Sequence, residues 1–212
     1  MILLKILRLY MYLHEIIHKR VISRLGCFIY GIHPKEIFGS RYKMFEMAVC
    51  DDDIVLDVAC GSGSMLFNLS DNIKSGYGID SSEKQIELCN KFHSDNNLMF
   101  EKTCIFTADY KKLKKEVGYN VAIFSHILEH VEDVKTLVSK VDADRILVCV
   151  PSNEHWYRQL MEAVGLDNRT DRGHFREYDM WMLVDQINDC GYDIEIVRYN
   201  SDGDLFCSAT KR

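Results

Sequence analysis

From position 54 onward the chain alternates short, continuously apolar runs with longer stretches of helical periodicity. Ile54-Val55-Leu56 ends in Asp57, Gly76-Tyr77-Gly78-Ile79 in Asp80, Val121-Ala122-Ile123-Phe124 in Ser125, and Ile146-Leu147-Val148-Cys149-Val150 in Pro151. Unbroken apolar runs of this length read as strands covered on both faces, the habit of a parallel sheet. A third strand is expected over residues 103–110. Helical spacing marks Ser64–Leu69, Glu83–Phe92, 111–116 and 180–190, the last stopped by Gly191. Strands recurring roughly every 20–30 residues with helices between them imply βαβ units. The tail differs: Tyr192–Tyr199, a turn at Ser201-Asp202-Gly203-Asp204 and a run over 205–210 predict a closing hairpin.

The first thirty residues break this pattern. They are strongly apolar, yet five basic residues (Lys5, Arg8, Lys19, Arg20, Arg24) oppose one acid, Glu15. On a helical wheel Lys5, Arg8, Glu15, Lys19 and Ser23 share a face, and Leu3, Ile6, Leu13, Ile17 and Leu25 fall mostly elsewhere. The charges interrupt every apolar window of about 20 residues that a membrane span would need, and no signal-peptide cleavage pattern is present. Two readings stay open: a helix that packs on the following domain and roofs its site, or one that lies on an anionic membrane or dimerises. The expected division is an extension over 1–48 and a ligand-binding domain over 49–212.

Composition narrows the class. A chain of 212 residues with 47% apolar content suits one large domain with an appendage. A net charge of −6 gives no footprint for nucleic-acid binding. Eight cysteines without a C-x-x-C pair read as small core residues in a reducing cytoplasm, not as a disulfide or zinc framework.

The chemistry starts at Ile54-Val-Leu-Asp-Val-Ala-Cys-Gly-Ser-Gly63: strand, acid, glycine turn, helix. Glycine lets a backbone adopt positive φ and come close to a nucleotide-like ligand. Leu66 occupies the third glycine position of the dinucleotide fingerprint, which argues against a dehydrogenase. Asp57, Ala59, Gly61 and Gly63 instead resemble the first motif of class I S-adenosylmethionine-dependent methyltransferases, with Ala59 where the first glycine is usual. That resemblance covers about residues 50–210. It implies a Rossmann-like α/β sheet of seven strands, six parallel and the seventh antiparallel, with helices on both faces and an N-terminal helical extension. It also implies S-adenosylmethionine as cofactor, held by Asp57, Ala59, Gly61, Gly63, Asp80, Ser81, Asp109, Tyr110 and Ser125. Asp80 would accept from the ribose hydroxyls, with Asp80 or Ser81 also capping the next helix; Tyr110 would flank the adenine. The lead-in after His33-Pro34-Lys35 resembles that of methyltransferases of glycan and surface-polysaccharide assembly.

Transfer to an alcohol benefits from a base, and neutral histidine is the usual one. His126 and His130 follow the fourth strand, and on a helix His126, Glu129 and His130 would share one face. The ubiquinone-biosynthesis O-methyltransferases have an E-x-x-E-H run at this place, so a divalent metal at His126, Glu129 and His130 is the lesser reading. His174 lies in Gly173-His174-Phe175-Arg176-Glu177-Tyr178, which resembles a Gly-His-x-Arg-x-Tyr stretch of small-molecule and sugar methyltransferases. His174, His126 and His130 are the expected catalytic residues. Arg172, Arg176 and Tyr178 are the expected acceptor contacts, with Arg169 nearby and arginine forks suited to an anionic acceptor. The reading is a cytoplasmic O-methyltransferase of a small molecule or sugar, with peripheral membrane contact through residues 1–30 kept as an open alternative to packing on the domain. An N-methyltransferase, or a non-catalytic scaffold of this fold at a membrane, stands behind it.

Overall fold

The computed structural model describes residues 2–17, 21, 23–30, 41–93, 97–167, 171, 173–200 and 202–212. Helices α1 (Ile2–Ile17), α2 (Ser23–Tyr30) and α3 (Arg41–Glu46) precede the sheet. Then follow β1 (Ile54–Val58), α4 (Ser64–Leu69), β2 (Ser75–Asp80), α5 (Glu83–Phe92), β3 (Leu98–Lys102), α6 (Tyr110–Val117) and β4 (Val121–Ser125). The chain continues through α7 (Val134–Val141), β5 (Arg145–Pro151), α8 (Trp156–Ala163), α9 (Met180–Asp189), β6 (Tyr192–Tyr199) and β7 (Asp204–Lys211).

Among the described residues seven strands form one sheet in the order β3-β2-β1-β4-β5-β7-β6. Strands β1 to β5 run parallel, and β7 is antiparallel to both β5 and β6, so the expected six-plus-one sheet is present. Buried side chains cover both faces. Leu56, Val58, Ala122, Phe124 and Val148 meet α7 and α9 on one, and Val55, Ile123, Leu147 and Phe206 meet α3 and α4 on the other. Helix starts are set by acceptor side chains: Ser82 takes the Gln85 amide, Asp109 that of Lys112, Asp133 that of Thr136 and Asp179 that of Met182. The cap of α5 is thus Ser82, not Asp80 or Ser81.

The third strand lies earlier than expected. Residues 103–109 form a turn closed by Thr107 and Ala108 amides on the Cys104 carbonyl. The strand Leu98-Met-Phe-Glu-Lys102 is an edge with only Leu98 fully buried, so its apolar signal is weak. The more apolar Cys-Ile-Phe of the turn puts only Ile105 inside.

At the amino ends of the central strands Asp53 ties the sheet together. Its carboxylate accepts from the Cys50 amide at 2.8 Å and the Asn120 side chain at 2.9 Å, and pairs with Arg145. Asn120 in turn accepts from the Ile54 amide at 2.8 Å. This end is closed by its own hydrogen bonds, leaving the carboxyl ends for ligands.

Candidate active site

The backbone between β1 and α4 takes positive φ at Ala59 (65°), Gly61 (52°) and Gly63 (76°). Ala59, without glycine's freedom, costs on the order of 1 kcal/mol there. Asp80 at the end of β2 holds this loop: Oδ2 accepts from the Gly61 amide at 2.9 Å and Oδ1 from the Ser82 amide at 2.8 Å. The two glycines face different surroundings. A Cβ on Gly63 would lie 2.8 Å from the Phe100 ring and 2.9 Å from Cys89 Sγ, whereas one on Gly61 would meet nothing within 4 Å. Gly63 is required by packing, and Gly61 borders open space that a ligand can fill.

Asp57 forms part of the site's floor and is 3% exposed. Burial raises its pKa to about 7, Asp80 adds to the rise, and Arg41 opposes it. A carboxyl poised near neutrality suits a ligand bearing cationic groups, whose charge would draw it to the ionised form. Gly61's open side and these two acids fit a positively charged nucleoside ligand. Ser81 is exposed and Ser125, closing β4, is half-buried, so both stand at carboxyl ends of strands.

Two polar clusters lie beyond β4. In the first, His126 has φ 55° and donates its amide to the Cys149 carbonyl at 2.8 Å. Its Nε2 is 3.2 Å from Asp204 Oδ2, and its Nδ1 is 3.8 Å from Glu129 Oε1. The imidazole is 31% exposed. Arg41 lies within electrostatic reach of Asp57, Cys149 and Asp204. Its Nε finds no hydrogen-bond partner among the described residues. In the second cluster the His130 and His174 rings meet edge-on at 4.5 Å. His174 Nδ1 is 2.8 Å from Glu177 Oε1, and Glu177 Oε2 is 2.8 Å from Arg158. Between the clusters sits Glu129, 1% exposed, neither carboxyl oxygen finding a hydrogen-bond partner among the described residues. Burial pushes it up to about 8.

Several sequence expectations change here. His126, Glu129 and His130 do not share a helical face. Leu128–His130 is a single 3-10 turn, His126 precedes it in the left-handed region and faces Asp204, and His130 faces His174. The donor atoms that come within 4.8 Å of one another are those of His126, Cys149 and Asp204, and those of Glu129, His130 and His174. The ligand set expected for a divalent metal is split between them, and the Arg41 cation disfavours a metal in the first. The His174 side chain is 4% exposed and held by Glu177, so it braces the loop and is not presented to an acceptor. Arg176 spends its guanidinium on the carbonyls of Leu128 (3.3 Å), Val131 (2.7 Å) and Glu132 (2.6 Å). Tyr178 is fully buried, with its hydroxyl on Gln186, so neither Arg176 nor Tyr178 is free to read an acceptor. Arg169 and Arg172 lie outside the described residues.

Tyr110 is also buried. Its hydroxyl donates to the Ile105 carbonyl at 2.8 Å, so the ring belongs to the core instead of flanking a cofactor. Asp109 caps α6 and is exposed. Concavities of about 460 Å³ beside His130 and Phe106 and about 800 Å³ between Asp109 and Lys140 border this region. Neither includes Asp57, Gly61 or Asp80, and the strand ends remain the candidate site. Arg41 and Asp204 were the residues missed. Arg41 sits in the lead-in that follows His33-Pro34-Lys35, and Asp204 looked only like a turn residue.

Residues 55–143 match a family model described as a methyltransferase domain. A curated relative, a probable cobalt-precorrin-6B C(15)-methyltransferase (decarboxylating) of Methanococcus vannielii, is 26% identical over 102 residues, 48% of this chain and 53% of the relative. The chain thus spans about half the length of that relative. Magnesium protoporphyrin IX methyltransferase from Synechocystis PCC 6803, solved with bound S-adenosylhomocysteine, superposes with a TM-score of 0.66 at 17% identity, covering 95% of this chain and 99% of that one. A SAM-dependent methyltransferase from Aquifex aeolicus gives 0.60 at 15% identity, covering 84% and 92%. These structural likenesses bear out the expected fold.

Proposed function

We propose that this chain, whose residues 55–143 form a methyltransferase domain of the class I, S-adenosylmethionine-dependent kind, methylates an oxygen of a small molecule or of a sugar in a glycan intermediate. The observation that carries the oxygen assignment is the pairing of His126 with Asp204 at the mouth of β4. A protonated alcohol is a poor nucleophile, and a positioned base accelerates its attack by about 10²–10⁴-fold. A free amine needs no such base.

Bound S-adenosylmethionine supplies a methyl group already activated on a sulfonium. On the cofactor side, Gly61 leaves room for its approach, Asp80 sets the loop and offers its carboxylate to ribose hydroxyls, and Asp57 complements positive charge. On the acceptor side, Asp204 fixes the His126 ring through Nε2, which leaves Nδ1 to take the hydroxyl proton. Asp204 thereby acts as a positioning residue, and Glu129, neutral below about pH 8, adds no competing negative charge beside Nδ1. The tetrapyrrole and precorrin named for two of the relatives are themselves small molecules, in keeping with this acceptor class. The net charge of −6 weighs against nucleic acid.

The test is label transfer from methyl-tritiated S-adenosylmethionine to a panel of phenols, hydroxylated sugars and amines, with His126→Gln alongside. Label on a hydroxyl acceptor, lost by about 10²-fold or more in His126→Gln while S-adenosylhomocysteine still binds, supports the reading. Label on amines at a rate that His126→Gln leaves unchanged would replace it with N-methylation.

A further inference from the structure

Helix α1 is seated on the domain by one side only. Met11, 1% exposed, packs with Met161 and Val164. Arg8 donates to the Gly165 carbonyl at 2.9 Å, and His14 Nδ1 lies 3.0 Å from the Tyr157 hydroxyl. These contacts all fall on α8 and the residues just after it. Ile2, Ile6, Leu9 and Leu13 follow one another at spacings of three and four, so they form a single stripe on the side turned away from Met11. All four are exposed, as are Leu3, Tyr10 and Ile17 beside them. Helix α2 carries further exposed apolar side chains in Leu25, Ile29 and Phe28, the last 87% exposed, and exposed Trp156 opens α8 next to Tyr157. An uncovered apolar stripe of the kind α1 presents marks an interaction site.

Charge and length say what covers it. Lys5 and Arg24 are exposed on the same two helices, and Lys19 and Arg20 stand between them in sequence, whereas the whole chain carries a net −6. The apolar stripe is therefore bordered by cations on a protein that is otherwise acidic. An anionic lipid surface meets both features: acyl chains take the stripe and headgroups take the lysines and arginines. A second copy would bring cation against cation. Sixteen residues of α-helix reach about 24 Å, short of the roughly 30 Å hydrocarbon core. Among the described residues no helix is long and apolar enough to cross a membrane. The geometry points to α1 and α2 as an in-plane docking surface for an anionic membrane, with aromatic Tyr10 and Trp156 at the headgroup level.

The full-length protein is sedimented with vesicles of equal parts phosphatidylglycerol and phosphatidylcholine, and with vesicles of phosphatidylcholine alone. Two double variants accompany it: Leu9→Asp/Leu13→Asp, and Lys5→Glu/Arg24→Glu. The parent is expected to pellet with the anionic vesicles and stay soluble with the neutral ones, and each double variant to lower the bound-to-free ratio at least tenfold. The altered side chains are exposed, so circular dichroism and S-adenosylhomocysteine affinity stay at parental values. High salt should release the parent, since headgroup attraction is screened. A parent that stays in solution with anionic vesicles overturns the inference. So does a soluble dimer that Leu9→Asp/Leu13→Asp converts to monomer, because a second copy then covers the stripe.

Discussion

Alanine at Gly61 and at Gly63 should have opposite consequences, although only Ser62 separates the two positions in the loop. Both have positive φ, 52° and 76°, where a Cβ costs about 1–2 kcal/mol. Restricting the unfolded chain returns about 0.4–1 kcal/mol of that. At Gly63 the new methyl also meets the Phe100 ring at 2.8 Å and Cys89 Sγ at 2.9 Å. Phe100 can shift, because β3 is an edge. Cys89 is fully buried in α5 and its thiol donates to the Gly61 carbonyl at 3.2 Å, so it has little room. Overpacking of this kind adds about 1–3 kcal/mol. The sum for Gly63→Ala is about 1–5 kcal/mol, and its midpoint of about 3 kcal/mol corresponds to roughly 6–12 °C in Tm for a chain of this size. A Cβ on Gly61 would meet nothing within 4 Å, so Gly61→Ala should cost about 1.5 kcal/mol or less in stability. Its methyl would instead enter the space assigned to the cofactor, and S-adenosylhomocysteine affinity should fall at least about tenfold, equivalent to 1.4 kcal/mol. Urea denaturation and calorimetric titration of both variants decide the matter. A Gly63→Ala protein with the parental midpoint would rule out the packing role of Gly63, and a Gly61→Ala protein with the parental affinity would rule out cofactor approach at Gly61.

Glu129 makes stability depend on pH. Its pKa is raised from 4.5 to about 8 in the folded state, so between those values the folded chain holds a proton that the unfolded chain has released. Stability from this group is therefore complete below the unfolded value and declines as pH rises toward 8. Glu129→Gln should remove that slope and gain about 1 kcal/mol or more at pH 8 relative to pH 5; parallel urea curves for parent and variant at both pH values would contradict this. Arg176→Ala should lower stability by about 2 kcal/mol by stripping three loop carbonyls of their donor, and lysine, lacking the fork, should restore little; a loss of acceptor affinity at unchanged Tm would show instead that Arg176 reads substrate. Asp204→Asn replaces an acceptor by an N–H facing His126 Nε2 and should cut kcat about 10-fold or more while the acceptor's KM holds, with Asp204→Glu recovering part of the rate; a change confined to KM would move Asp204 from positioning the base to binding.

The legibility of this fold followed burial. Strands β1, β2, β4 and β5 lie inside the sheet, and their unbroken apolar runs announced them. Strand β3 is an edge, solvated along much of its length, and the more apolar turn after it took its place in the reading. The glycine loop was visible because its geometry is local: acid, glycines and helix start sit within ten residues. The polar cluster beyond β4 was not, because it is assembled from distant segments. Arg41, His126, Cys149 and Asp204 come from α3 and from the ends of β4, β5 and β7, and no spacing rule joins them. Arg176 and Tyr178 looked like ligand-binding residues by type, yet folding spends the first on loop carbonyls and the second on the core. For the N-terminus the apolar and basic pattern was plain in the sequence. Its seating on α8 through Met11, Arg8 and His14 needed the structure.

The function proposed for this chain depends on the loop from Asp57 to Gly63, held by Asp80, taking S-adenosylmethionine. Its most direct test is calorimetric titration of the full-length protein with S-adenosylmethionine and S-adenosylhomocysteine, with Asp80→Ala measured beside it. Both should bind in the micromolar range, with affinity weakened strongly by Asp80→Ala. A folded parent protein that binds neither compound would contradict this.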